Sequence, residues 1–93
     1  MNINIDLEKM KLVHGEEIVE IIYENIDLVE KNIKILKDYK FDDIEGIFER
    51  CPMIFMNFTK DFTNKIEQLK NDLGEEYVDI IQNDVGIIEE IFN

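Results

Sequence analysis

The strongest constraint on the fold is an apolar stripe with helical spacing between positions 15 and 39. Its members follow one another at intervals of three or four positions, which keeps them on one face of a helix. They are Ile18, Ile22, Ile26, Val29, Ile33 and Leu36. Acids and lysines fall on the opposite face. The stripe predicts one long amphipathic helix near 15–39, or two helices in close succession.

Two asparagines, Asn25 and Asn32, interrupt the apolar arc one heptad apart. One interpretation is an edge position, or a local break of the helix near 25–27. The other is an oligomer interface, because a buried asparagine pair between two helices can fix the register of their packing.

Residues that cap or break helices mark further segments on both sides of the stripe. These segments are 6–14, 42–52, 58–73 and 75–92. Asp6 is expected to cap the first of them, and Gly15 and Gly74 are expected to end helices. Phe58 is expected on the buried face of the third segment. The predicted fold class is therefore all-α, a short helical-repeat, solenoid-like array of either hand with about four to six helices.

An internal repeat supports this architecture. Three segments share two acids, then an apolar residue, then an apolar pair three positions further on. The three segments are 16–22, 42–48 and 75–81. The alignment that superimposes them also superimposes Leu7, Ile33 and Ile66 in the preceding helices. We therefore predict one domain over 1–93, with repeat-like units at about 7–32, 33–65 and 66–93.

The middle unit carries recognisable motifs. Ile33 and Leu36 form an I-x-x-L helix, Asp42 and Asp43 make the next helix start acidic, and a closing Pro-x-apolar sequence begins at Pro52. With these residues the chain resembles the repeat of mitochondrial transcription termination factors, over about 7–90. The resemblance implies a curved helical solenoid that binds nucleic acid along a basic concave face.

The charge balance differs from that of a nucleic-acid-binding protein. Ten Lys and Arg face 22 Asp and Glu, so the net charge is −12. Such a charge repels phosphate backbones and anionic membranes, and the segments 12–30 and 71–93 contain no Lys or Arg. The acids form either a solvated surface or a surface that meets a basic partner. The candidate partner-binding residues are Glu16, Glu20, Glu24, Asp27, Asp72, Glu75, Glu76 and Asp79.

The residue types that carry catalysis and metal binding are scarce. The chain has no Ser, and one His with one Cys excludes a Cys/His zinc site within a single chain. Cys51 is interpreted as a buried structural thiol, because the dipole at a helix C-terminus disfavours a thiolate. His14 is interpreted as a cap at a helix end. We therefore expect no enzyme activity, no catalytic residue, no metal and no cofactor.

These observations predict a small acidic helical protein that acts by binding a protein partner. Because few helix pairs give a marginal core, a homodimer or a docked partner is expected to cover an apolar edge. The first alternative is an acidic nucleic-acid mimic that inhibits a nucleic-acid-binding protein. The second is a nucleic-acid-binding module of the kind that the resemblance implies, acting through the basic patch Lys31, Lys34, Lys37 and Lys40.

The location and source are expectations from composition alone. The segment 1–6 lacks the basic region of a signal peptide, and no apolar run approaches the length of a membrane span. A cytoplasmic protein without membrane contact is therefore expected. Scarce Ala and abundant Ile, Asn and Lys are typical of an AT-rich genome, so we expect a bacterial or phage source.

Overall fold

The computed structural model describes residues 5–92, so residues 1–4 and 93 of the predicted domain lie outside the description. Over this range the chain has seven α-helices, one 3-10 helix and no strand, which confirms the all-α prediction. The helices are α1 (Leu7–His14), α2 (Glu16–Glu24), α3 (Ile26–Asp38), α4 (Ile44–Arg50), α5 (Thr59–Leu73), α6 (Tyr77–Asn83) and α7 (Gly86–Ile91). The 3-10 helix (Pro52–Met56) lies between α4 and α5.

The predicted start and stop signals act as expected. The Asp6 side chain accepts a hydrogen bond from the Lys9 backbone N–H at 3.1 Å, which satisfies one of the free donors at the start of α1. Gly15 ends α1 with a φ of +95°, and Gly74 ends α5 with a φ of +83°. Because a side chain is strained in this region, glycine suits both turns.

The single long helix near 15–39 is wrong, because the chain breaks at Asn25 into α2 and α3. Asn25 has φ −118° and ψ 28°, and its side-chain amide donates to the Ile21 carbonyl at 2.9 Å. An asparagine that bonds the carbonyl one helical turn back competes with the helical hydrogen-bond ladder. The other expectation for this segment, two successive helices with a local break, is therefore the correct one.

The last predicted segment is also divided, and this raises the number of helices above the expected four to six. Asp84 separates α6 from α7 with φ −140° and ψ 83°, at a stretch of poor helix formers that includes Gly86. The expectation that Phe58 lies on a buried face is also wrong. Phe58 precedes the first residue of α5 with an extended ψ of 146°, so its ring misses the buried face and is 75 % exposed.

The core is continuous and rich in isoleucine and phenylalanine. Its centre includes a run of tilted aromatic pairs, Phe48–Phe55, Phe55–Phe62 and Phe62–Phe92, whose ring centroids lie 5.1, 5.6 and 5.2 Å apart. Phe48, Phe55 and Phe62 are fully buried. These rings join the 3-10 helix and α5 to helices on both sides, so the aromatic run holds the middle of the molecule together.

The helices contact both their neighbours in the chain and more distant elements. α1 contacts α2, α3 contacts α4, and α5 contacts α6, while α3 also contacts the 3-10 helix and α5. The helix bounds follow the repeat alignment, because the shift that superimposes the first residue of α4 on that of α6 also superimposes their last residues. The same shift brings the first residue of α3 onto the first residue of α5. The curved solenoid and the three repeat-like units stay predictions.

Candidate partner-binding surfaces

The predicted row of acids along α2 is exposed over the whole helix. Glu16, Glu20 and Glu24 recur at every fourth position, which spaces them by about 6 Å along the axis. The Tyr23 side chain stands beside this row and is 56 % exposed. Asp27, in the first turn of α3, is exposed too. These five residues are called the N-terminal acidic surface.

The other predicted acids surround the turn between α5 and α6. Asp72 lies in the last turn of α5, and Asp79 lies in the first turn of α6. Glu75 and Glu76 lie between the two helices, where negative charge suits the N-terminus of α6. All four side chains are exposed. These four acids are called the C-terminal acidic surface.

A groove of about 430 Å³ separates α1 from α4. The Glu49 carboxylate lies 3.4 Å from Lys9 Nζ, and the Glu49 carbonyl accepts a hydrogen bond from His14 Nε2. His14 was expected to cap its own helix. Its ring instead donates to a carbonyl in the last turn of α4. The groove is lined by Lys9, Val13 and His14 from α1 and by Gly46, Glu49 and Arg50 from α4.

A matching contact joins α6 to the start of α4. Gln82 Oε1 accepts hydrogen bonds from the backbone N–H groups of Asp42 at 2.7 Å and Asp43 at 2.9 Å. These donors lie at the N-terminus of α4, where the helix leaves them unpaired. Gln82, Glu49 and Tyr23 were not among the residues predicted from the sequence. The repeat alignment is the signal that could have found them, because it places all three at one position.

The single Cys and the single His meet in a second cleft, of about 250 Å³. Cys51 is buried, and its thiol donates to the Ile47 carbonyl at 3.2 Å. His14 donates to the Glu49 carbonyl. Burial, reinforced by the Glu89 carboxylate, raises the pKa of the Cys51 thiol to about 11. The cleft therefore holds a protonated thiol rather than an activated nucleophile.

Cys51 is expected to react slowly with an aromatic disulfide reagent in the folded protein at pH 8, and rapidly once urea unfolds the chain. The thiol pKa is higher in the folded state than its ordinary value of 9.0. The corresponding stabilisation is complete below pH 9 and is lost as the pH rises towards 11. The rate of thiol modification with and without urea measures the protection of Cys51. Equal rates would contradict the burial of the thiol.

The basic patch on α3 is not a surface of positive charge alone. Lys31 and Lys34 line a shallow depression together with Asp27 and Glu30. The four lysines of the patch are exposed. A phosphate backbone that approached this depression would meet carboxylates beside the ammonium groups, which weakens the electrostatic attraction that nucleic-acid binding needs.

The two asparagines make different contacts within the chain. Asn25 is exposed and bonds its own helix. Asn32 is fully buried within the chain, where its amide donates to the Phe55 carbonyl at 2.8 Å and the Asn57 carbonyl at 2.7 Å. Asn32 therefore stabilises the fold of its own chain, and the oligomer interface expected at Asn25 and Asn32 stays a prediction.

Between residues 5 and 92, no cluster of three or more His, Cys, Asp or Glu side chains is arranged to hold a metal ion. None of the helices described has the length and apolar character that crossing a membrane requires. No family model matches the chain, and neither a curated protein nor a solved structure matches it.

Proposed function

We propose that this chain is a non-enzymatic binding module that docks on a basic surface of a protein partner through its N-terminal acidic surface. One observation supports this most directly: Tyr23 is 56 % exposed and stands beside an unbroken row of exposed carboxylates. Tyrosine is among the residues that most often dominate binding energy at protein interfaces.

Two physical effects favour a basic partner. Carboxylates around an aromatic anchor attract a positive surface from a distance and accelerate its association. They also repel acidic surfaces, which gives specificity. The net charge of −12 strengthens both effects. Within the N-terminal acidic surface, only Glu16 has a described ion pair, with Lys11 at 3.4 Å, so the row keeps most of its charge for a partner.

A fluorescent Lys-rich helical peptide is the probe for this proposal. Replacing Tyr23 with alanine leaves the net charge unchanged and is expected to weaken peptide binding about tenfold, measured by fluorescence anisotropy. Phe58→Ala is the matched control, because Phe58 is an exposed aromatic outside the acidic row, and it should bind the peptide as the unaltered protein does.

Charge location is tested with two variants of equal net charge. Glu20→Lys/Glu24→Lys/Asp27→Lys and Glu75→Lys/Glu76→Lys/Asp79→Lys each reverse three acids, which changes the net charge from −12 to −6. The first variant is expected to lose far more affinity than the second. Equal losses would show that total charge, and not the N-terminal acidic surface, controls binding, and would overturn the proposal.

A nucleic-acid mimic is the second candidate, favoured by the row of exposed carboxylates Glu16, Glu20 and Glu24 along α2. Such a row presents negative charge along a line, as a nucleic-acid strand does. The test is displacement of duplex DNA from a basic DNA-binding protein without sequence preference. We expect the unaltered chain to displace the DNA and Glu20→Lys/Glu24→Lys/Asp27→Lys to fail. This result would favour the mimic over a general binding module.

Direct nucleic-acid binding through the lysine patch stays a weaker proposal. The carboxylates of Asp27 and Glu30 beside Lys31 and Lys34 oppose it. A mobility-shift assay at low salt tests it, and we expect no shift.

A further inference from the structure

One position of the repeat alignment contacts the preceding helix pair in both of the later pairs. Glu49 of α4 contacts α1, the first helix of the pair before: its carboxylate lies near Lys9, and its backbone carbonyl accepts from His14. Gln82 of α6, which stands at the equivalent position in the repeat alignment, contacts the turn before α4. In both cases the second helix of one pair contacts the first helix of the pair before, or the turn that follows that helix.

Tyr23 occupies the same position on α2, because the alignment of segment 16–22 with segment 42–48 continues to place Tyr23 on Glu49. Its neighbours Glu20 and Glu24 correspond in this alignment to Gly46 and Arg50. Gly46, Glu49 and Arg50 face α1 across the groove between α1 and α4. Among the residues described, no helix pair precedes α1 and α2, and the tyrosine side chain is exposed.

We infer that Glu20, Tyr23 and Glu24 form a contact surface equivalent to the one that Gly46, Glu49 and Arg50 present to α1, and that they dock the end of a basic helix together with the turn after it. The inference rests on the proposed function and specifies the shape and charge of the partner. In the groove between α1 and α4, the corresponding places are held by Lys9, Val13 and His14, which are a cation, an apolar residue and a hydrogen-bond donor.

A second copy of the chain is the wrong occupant, and the reason is electrostatic. In the repeat alignment, Asp72 of the last helix pair corresponds to Val13 of the first pair, and Glu75 corresponds to Glu16. Glu76 follows, and these three acids of the last pair are exposed. They would face Glu20 and Glu24 of the next copy, and like charges that face each other across an interface weaken the association. The acids at the two ends therefore oppose head-to-tail stacking and leave the α2 surface for a basic chain.

The test uses the protein itself as the probe. Asp72→Lys/Glu75→Lys/Glu76→Lys turns the C-terminal end into the basic turn that the inference requires, and changes the net charge from −12 to −6. We expect this variant to self-associate head to tail, because a heterologous contact that does not close forms open chains. Light scattering after size exclusion should give a mass that rises with concentration, whereas the unaltered protein stays at one chain.

Two controls make the result specific. Adding Tyr23→Ala to the triple variant should restore a single chain. Asp38→Lys/Asp61→Lys/Glu90→Lys reverses three exposed acids elsewhere, also gives −6, and should not self-associate. Circular dichroism checks folding. If the triple variant is unfolded, Asn71→Lys/Asp72→Lys replaces it, because cations suit the last turn of α5 and the first turn of α6 is left unchanged.

The outcomes separate this inference from the proposed function. A folded triple variant that stays a single chain would overturn the inference. So would self-association that persists after Tyr23→Ala, or that also occurs in the matched control. In each of those cases, weaker binding of the Lys-rich peptide by Tyr23→Ala would still support the proposed function, which therefore stands or fails separately.

Discussion

Replacing Phe62 with alanine is expected to lower the free energy of unfolding by about 3–5 kcal/mol. Phe62 is fully buried, and its ring packs between Phe55 and Phe92. The substitution removes apolar contacts and leaves a cavity in the middle of the aromatic run. A small domain has only about 5–15 kcal/mol of stability in total, so the variant loses a large share of it.

Urea unfolding followed by circular dichroism measures this effect. Phe58→Ala is the control, because the same substitution is made one helical turn away at a ring that is 75 % exposed. Its effect should stay within about 0.5 kcal/mol. Similar losses from the two variants would contradict the burial of Phe62 and the exposure of Phe58.

Replacing Asn32 with alanine is expected to cost about 2–4 kcal/mol. The asparagine side chain is fully buried, and its amide satisfies the carbonyls of Phe55 and Asn57. Without it, two carbonyls in the connection between α4 and α5 lose their donor, and each buried unpaired group costs about 1–3 kcal/mol. The amide oxygen of Asn32 has no hydrogen-bond partner among the described residues, so its removal offsets part of this loss.

Asn25→Ala is the matched substitution at the other interrupting asparagine. Asn25 is exposed and donates one hydrogen bond to the Ile21 carbonyl of its own helix, which water can replace. Its effect on the free energy of unfolding should be well below that of Asn32→Ala in the same urea experiment. A larger effect at Asn25 would contradict the assignment of Asn32 as the structural asparagine.

The candidate surfaces were predictable to different degrees. The exposure of the eight acids followed from charge and helical spacing, because a carboxylate without a partner is rarely buried. Their role in binding stays a proposal. Tyr23 was harder to place, since a tyrosine beside an apolar stripe fits the edge of a core as well as a surface. The structure decides this, because the Tyr23 side chain is 56 % exposed.

Local signals in the sequence determined the helical class and several helix ends. Apolar spacing near the helical period requires a helix to bury one face, and Asp6, Gly15 and Gly74 act through their own backbone and nearest neighbours. Tertiary structure alone decided that Asn32 lies in the core and that Gln82 meets the start of α4. These contacts join residues that are far apart in the sequence, so their energy depends on how the helices pack and not on any local pattern.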